Sequence, residues 1–516
     1  MTHKNFRIIP PEWKHGGKSQ EKAAKNLHFF VLPTYTRYND QTPLSIEKGL
    51  KKDLKRDLLF FPLGYAHVIS SIQTYTNHNV EVLDPYVQYT SHGMFEQWLD
   101  NAYEAKNLPD PDYLLLGGMS TSWPVIKSAV FTLQKKFPQA KIICGGTVAN
   151  LHHELLLREL GVHVAVLGEA DIVIVDLFRN LDNISEVQGI SYLNENNELI
   201  QTPTPVPPDL NELPEPAFEK FDIEEYIKSV QKRVGYRGLP IATSTGCPYS
   251  CNFCYVPGGQ NMRYLKPETV VDRIQYMKDQ FQLDYVSFSD DICFVDKDWM
   301  WELGERLIKA KTNMLWNCNS RVNLFREKDA ALLRLLRKAG LVRISFGIET
   351  GSPTILKNMG KTGASPEKAQ LALRLARENN IRATASMLLG YPGETKETIW
   401  ETVQFCKDNL LQPSFYLLQP FPGTTVYDQY VRPKYTEKEY LELLGDYREG
   451  EKLFINLTSI SDVDLMKYKK MAEAEMKRFS LGSYMKYYRN SIFKQIGVDL
   501  YREARRYYSG SLFKTP

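Results

Sequence analysis

Cysteine is scarce in this chain, seven in 516 residues. An odd number with three of them bunched does not make a disulfide framework, and it points to a reducing compartment. Net charge is small as well, +3 from 64 basic and 61 acidic side chains. That balance lacks the electrostatic footprint of a dedicated nucleic-acid binder. No run approaches the roughly 18 consecutive apolar residues that suggest a membrane span. The opening segment, MTHKNFRIIPPEWKHGGKSQ, has no apolar signal-peptide core. These absences leave a globular cytoplasmic protein as the expectation, with no nucleic-acid partner and no transmembrane segment. Tandem repeats and low-complexity tracts are missing too. The length exceeds one ordinary core and suggests about three units.

What the chain does have is alternation, twice over. Strand patterns at HFFVLP (28–33), VEVLDPY (80–86), YLLLGG (113–118), AKIICGG (140–146) and VAVLGEA (164–170) alternate with helical ones at 63–76, 123–137 and 149–160. This predicts an α/β domain over residues 1–200, Rossmann-like and doubly wound, with a parallel sheet covered by helices on both faces. Ligands in such sheets sit beyond the carboxyl ends of the strands. Those ends carry Gly117, Gly118, Ser120, Thr121, Gly145, Gly146, Gly168 and Glu169. Six prolines within 201–218 mark an extended linker, taken as 201–222. Over 223–430, strands at 239–245, 285–290, 315–321, 342–349, 383–390 and 414–420 alternate with helices, which fits a partial (β/α)6 TIM-like barrel. Reactive groups gather at the C-terminal rim of such strands. Asp290, Asp291, Arg321, Glu349 and the GYPGE loop (390–394) all fall there. Residues 431–516 form a helical segment rich in Tyr, Lys and Arg.

Cys247, Cys251 and Cys254 lie within TSTGCPYSCNFCYVPGG (243–259), at the end of the first barrel strand. Zinc closes its tetrahedron with four protein ligands, and here there is no second pair and no nearby histidine. Unrelated buried cysteines rarely produce this spacing. A third reading is an iron–sulfur cluster held by three thiolates, one iron keeping an open position. Gly246 lets the chain turn, Pro248 restricts it, Asn252 can bond locally, and Phe253 and Tyr255 shield a cluster from water.

CPYSCNFC matches the CxxxCxxC signature, and the chain resembles the radical S-adenosylmethionine (SAM) superfamily. Later landmarks match in order: FSDDICFVDKDW (288–299), WNCNSRVN (316–323), FGIETGSPTILKNMGK (346–361), LLGYPGET (388–395) and PFPGTTVYD (420–428). The first domain, with GGMST, ICGGTVAN and VLGEAD, resembles the cobalamin (vitamin B12) domain of one branch. That branch includes class B methyltransferases and anaerobic magnesium-protoporphyrin ester cyclases. Together the resemblance spans roughly residues 28–430.

The resemblance implies a 4Fe-4S cluster on Cys247, Cys251 and Cys254, whose free iron chelates SAM. One electron, from an external donor such as flavodoxin or ferredoxin, cleaves SAM to methionine and a 5′-deoxyadenosyl radical. It implies SAM-binding roles for Tyr255, Asp290, Asp291, Glu349, Leu389 and Gly390. Arg321 joins them as a carboxylate partner, because Asn317 and Asn319 share its strand face. The bland alternatives are a shielding aromatic, a helix cap, a rim ion pair and ordinary core. Cobalamin is expected beside Ser120, Thr121, Gly145, Gly146, Gly168 and Glu169. The DxHxxG motif of histidine-ligated cobalamin domains is missing, and His28, His67 and His78 stand in unrelated contexts.

The leading expectation is a cobalamin-dependent enzyme that methylates an unactivated carbon of a small molecule. Oxidative cyclisation or ring rearrangement in the same architecture is the alternative. Methylthiotransferases need N-terminal cluster cysteines, and Cys144 is the only cysteine before the triplet. A non-enzymatic cobalamin carrier or zinc-stabilised scaffold is the contrasting class. The basic, tyrosine-rich C-terminus suggests a lid, an anionic substrate or a membrane surface, against an amphipathic packing helix.

Overall fold

The computed structural model describes residues 23–32, 60–85, 95–445 and 453–488. The lysine-rich stretch up to residue 58 and the basic tail beyond 488 lie outside them. The first domain is a seven-stranded sheet in the order β2-β1-β3-β4-β5-β6-β7. Its strands are β1 (Asn26–Phe30), β2 (Asn79–Leu83), β3 (Tyr113–Gly117), β4 (Lys141–Gly145), β5 (Val164–Val166), β6 (Ile190–Leu193) and β7 (Leu199–Gln201). The first five pair in parallel. Their near-continuous apolar runs follow from burial on both faces.

Helices α1 (Leu63–Tyr75) and α5 (Ala170–Arg179) cover one face through Ile69, Ile72 and Phe178. Helices α2 (Phe95–Lys106), α3 (Trp123–Lys136) and α4 (Gly146–Arg158) cover the other through Leu99, Ile126 and Leu156. The expectation of a wholly parallel sheet is corrected at one edge, where β6 and β7 are antiparallel. They form a hairpin whose turn uses Asn197 at φ +61°, a conformation asparagine tolerates better than most residues. The strand order reverses between β1 and β3, which opens a crevice at their carboxyl ends.

Helix α6 (Ile223–Val234) leads into the second domain. There β8 (Gly238–Ile241), β11 (Tyr285–Phe288), β12 (Leu315–Ser320), β13 (Leu341–Glu349), β14 (Arg382–Leu389) and β15 (Pro413–Leu417) form one six-stranded sheet in that order. All the pairings are parallel. The two edge strands β8 and β15 do not pair with each other, so the barrel is partial. Crossover helices α7 (Pro267–Phe281), α8 (Lys297–Lys309), α9 (Ala330–Lys338), α11 (Pro366–Glu378) and α12 (Lys396–Asp408) wrap it, with a short α10 (Pro353–Asn358) after β13. Their starts carry the expected signals. Asp296 accepts from Trp299 N at 2.9 Å and Ser365 from Lys368 N at 3.3 Å, while Pro267 and Pro366 open α7 and α11.

The proline-rich segment is docked rather than free. Phe61 of the first domain packs at 5.1 Å against both Phe218 and Phe221, and at 5.3 Å against Tyr226. One hydrophobic core therefore runs from the first sheet into the barrel. After the barrel come α13 (Thr425–Tyr430), α14 (Glu437–Gly445) and α15 (Asp462–Tyr488). Helix α14 buries Tyr440, Leu441 and Leu444 in the core of the first domain. Helix α15 buries Leu465, Ala472 and Met476 in the core that includes the barrel. No helix among the described residues is long and apolar enough to cross a membrane.

Candidate active site

The cysteine loop leaves β8 and is closed at its base by a two-residue antiparallel pair, β9 (Ser244–Thr245) with β10 (Arg263–Tyr264). Gly246 sits at φ +91°. A Cβ there would lie 2.4 Å from Asn261 O, so only glycine fits this crossing of two backbones. Asn252 is the anchor. Its N–H donates to Met359 O at 3.1 Å, its side-chain amide donates to Asn358 O at 3.1 Å, and its carbonyl accepts from Val426 N at 3.0 Å. Phe253 packs beside Tyr391 at 6.5 Å on a small cluster of Ile355, Met359, Leu418 and Val426.

All seven cysteines are free, and the three thiols of the loop are close enough to act on one another electrostatically. Cys254 keeps an exposed edge. Partial burial of its thiol, with Cys251 and Cys247 close by, still pushes its pKa up to about 11. Three thiolates brought together need compensating positive charge. Part of it comes from Arg321, whose Nη1 donates to Cys251 Sγ at 2.8 Å. The same guanidinium lies 3.8 Å over the Tyr249 ring and donates to Thr362 O at 2.9 Å. No three His, Cys, Asp or Glu side chains among the described residues converge on a single ion. Three thiols on one short loop suit a cluster, in which each thiolate would bond a different iron.

Glu349 ends β13 at φ +73°, a strained region for a non-glycine residue and one associated with functional sites. Its Oε1 accepts from Lys361 Nζ at 2.8 Å, with Lys361 almost wholly buried. A Cβ on Gly347 would fall 2.6 Å from that same oxygen, so the glycine makes room for the pair. Asp290 is buried and accepts from Thr243 N at 2.7 Å, Ser244 N at 3.1 Å, Ser244 Oγ at 2.9 Å and the Thr243 hydroxyl. Burial raises its pKa against these donors. Its carboxylate therefore ties the end of β11 to the strand that launches the cysteine loop. Asp291, on the exposed side, accepts from Gly246 N at 3.3 Å. Leu389 is buried, and Gly390 follows it at φ +89°.

On the first domain, Ser120, Thr121, Gly145 and Gly146 meet at the ends of β3 and β4. A Cβ on Gly117 would lie 2.6 Å from Gly145 O, and one on Gly146 would lie 3.0 Å from Gly118 O. These glycines let the two loops pack backbone to backbone. The hydroxyls of Thr121 and Ser122 are buried without a hydrogen-bond partner. Orphaned donors beside open backbone fit a ligand with many amide and phosphate acceptors, such as cobalamin.

Gly168 N donates to Asn150 Oδ1 at 2.5 Å. The structure does not bring Glu169 to that rim as a free group. Its carboxylate is paired with Arg263, which also donates to Pro208 O at 2.7 Å. The pair joins the first domain to β10 at the base of the cysteine loop. Tyr255 packs at the same junction, since a Cβ on Gly423 would lie 2.9 Å from its ring and 3.2 Å from Leu151.

Sequence reasoning missed several of these partners. Lys361, Arg263, Thr243 and Glu394 had no role assigned, although Thr243, Lys361 and Glu394 stand within the motifs themselves. His152 was also missed. It is buried at a kink in α4, with Nδ1 2.5 Å from Glu437 Oε1 and Nε2 3.0 Å from Ser120 Oγ. His28 is tied to Tyr103 at 2.6 Å, and burial lowers its pKa to about 4.

The chain thus combines a parallel partial barrel with three free thiols on the loop that follows its first strand. Residues 241–406 match the family model of the Radical SAM superfamily. An uncharacterized methyltransferase of Pyrococcus horikoshii is 27% identical, over 71% of this chain and 78% of that protein. An anaerobic magnesium-protoporphyrin IX monomethyl ester cyclase of Rubrivivax gelatinosus is 26% identical, over 77% and 69%. Among solved structures, the radical SAM methyltransferase TsrM from Kitasatospora setae, with cobalamin and a 4Fe-4S cluster bound, superimposes with a TM-score of 0.61. It is 16% identical, over 80% of this chain and 75% of that one. The likeness covers the first domain as well as the barrel and shows a shared fold.

Proposed function

We propose that the protein is a cobalamin-dependent radical SAM methyltransferase acting on an unactivated carbon of a small molecule. The observation that carries this reading is the junction itself. A three-thiol loop stands at the barrel rim, and the glycine- and hydroxyl-lined rim of the first sheet is held to its base by Glu169 and Arg263. Cys247, Cys251 and Cys254 would hold the 4Fe-4S cluster, and Ser120, Thr121, Ser122, Gly145, Gly146 and Gly168 would border cobalamin. When bound, cluster and cobalamin supply reductive cleavage of SAM and a transferable methyl group.

The chain's own residues position and insulate. Arg321 stabilises the Cys251 thiolate through a charge-assisted hydrogen bond. Lys361 neutralises Glu349 on one oxygen, and Oε2 of Glu349 is left for a ribose hydroxyl or an amino group of SAM. Gly390 gives close backbone access at the adenine end, and Tyr255 closes the side facing the first domain. Asp290, with four donors from Thr243 and Ser244, fixes the launch angle of the loop rather than touching substrate. An external one-electron donor completes the reaction. A reducing cytoplasm suits the free cysteines.

The relative named as a cyclase supports a second reading, oxidative cyclisation in the same architecture. Turnover with methyl-labelled SAM separates the two. Label in the product is expected for methylation. Unlabelled product formed together with 5′-deoxyadenosine would overturn methylation in favour of cyclisation.

A further inference from the structure

One surface feature takes no part in this reading. Beside the cysteine loop lies a cavity of about 680 Å³ lined by Tyr249, Phe294, Lys297, Asn323, Arg326 and Lys328, among others, with no carboxylate in its wall. Carboxylates nearby in sequence are already paired, one of them with the cavity's own Lys297. Glu327 pairs with Arg374, and Asp329 pairs with Lys297 at 2.6 Å. Arg326 and Lys328 are exposed, and neither has a carboxylate partner among the described residues. Two backbone carbonyls fix the Arg326 guanidinium, Asn323 O at 2.8 Å and Phe325 O at 2.9 Å. A second cavity, near Arg432 and Lys434, contains Glu437 and Glu439 as well, so it offers no comparable excess of positive charge.

The cationic cavity is also coupled to the thiols. Tyr249 stands between the first two cysteines of the triplet. Its hydroxyl accepts from Asn323 Nδ2 at 3.0 Å, and its ring stacks under Arg321, whose Nη1 is 2.8 Å from Cys251 Sγ. A partner seated here is separated from the sulfur by one aromatic ring and one guanidinium.

We propose that this cavity is the docking surface for an acidic one-electron carrier protein. The proposal rests on the radical SAM reading above and names its electron donor's seat. The step balances simply: the carrier is oxidised by one electron, the cluster is reduced by one, and no bond or proton moves. Arg326 and Lys328 steer the carrier electrostatically, an effect that raises association rates about 10- to 1000-fold and fades with salt.

The test uses oxidised flavodoxin of net negative charge, titrated into the anaerobically reconstituted full chain at about 0.02 M and about 0.3 M salt. For Arg326→Glu/Lys328→Glu, binding is expected to weaken about tenfold or more at low salt, with little difference left at high salt. Lys328→Glu alone, which has no contact to lose, should show a smaller loss in the same direction. SAM cleavage driven by dithionite should be unchanged in both variants, while cleavage driven by reduced flavodoxin falls. Equal binding and equal salt dependence in all three proteins would overturn the docking proposal. Wild-type protein that cleaves no SAM with dithionite would instead overturn the reading on which it rests.

Discussion

The barrel rim and the first-domain rim face each other, but they are built from different chemistry. On the barrel, charged side chains with fixed partners surround the thiols: Arg321 on Cys251, Lys361 on Glu349, and Asp290 on Thr243 and Ser244. On the first sheet, an ion pair reaches the ends of β3 and β4 through His152, which bridges Glu437 and Ser120. Gly117, Gly145 and Gly146 shape them by lacking side chains, and Thr121 and Ser122 contribute unpartnered hydroxyls. The first arrangement suits a small, charged, reactive centre whose atoms must be held in place. The second suits a large flat ligand bound along backbone.

Substitutions on the two sides should therefore fail in different ways. The largest effect is expected from Cys251→Ala, which removes a proposed cluster ligand from a half-buried loop. The brown cluster absorption and SAM cleavage should be lost, while the melting transition stays within about 1 kcal/mol of wild type. An unfolded variant would mean that the loop is a structural element instead.

The barrel side also has a pH signature. Burial pushes Glu394 from 4.5 up to about 7, with one of its oxygens accepting from Gly390 N and the other unpartnered. A carboxyl raised on folding favours the protonated fold. Its contribution is complete below about pH 4.5 and is lost as pH rises through about 7, on the order of 3 kcal/mol. Denaturant melts of Glu394→Gln across that window should show a flatter decline than wild type.

On the other rim, Gly117→Val places a side chain against Gly145 O and should destabilise the first domain by about 2 kcal/mol. Cobalamin retention should fall while the cluster absorption remains. The smallest effect on folding sharpens the contrast most. Thr121→Val removes a buried hydroxyl that has no protein partner, so stability should hold or rise slightly, yet co-purified cobalamin should decrease.

The sequence made the cysteine loop legible because its signal is local: three thiols within eight positions, a glycine before them and an asparagine between them. The six barrel strands were legible for the same reason, each a short strand-patterned run between helical ones. What stayed hidden depends on pairing across the chain. Asp290 resembled a ligand contact because its partners, Thr243 and Ser244, come near only when β11 aligns beside β8, Phe288 opposite Ile241. Glu169 resembled a cobalamin contact because Arg263 lies 94 positions away. His152 carried no motif, and its contacts with Ser120 and Glu437 exist only once α14 has packed against the first domain. The β6–β7 hairpin escaped notice because its strands are short and its turn, ENNE, reads as loop.

The central claim is that the three-thiol loop leaves one coordination position for SAM. Its most direct test is electron paramagnetic resonance of the anaerobically reconstituted, reduced protein with and without SAM. The account predicts a 4Fe-4S signal that changes when SAM is added, with 5′-deoxyadenosine formed on turnover. A cluster signal indifferent to SAM, or no cluster signal in protein with all three cysteines intact, would contradict it.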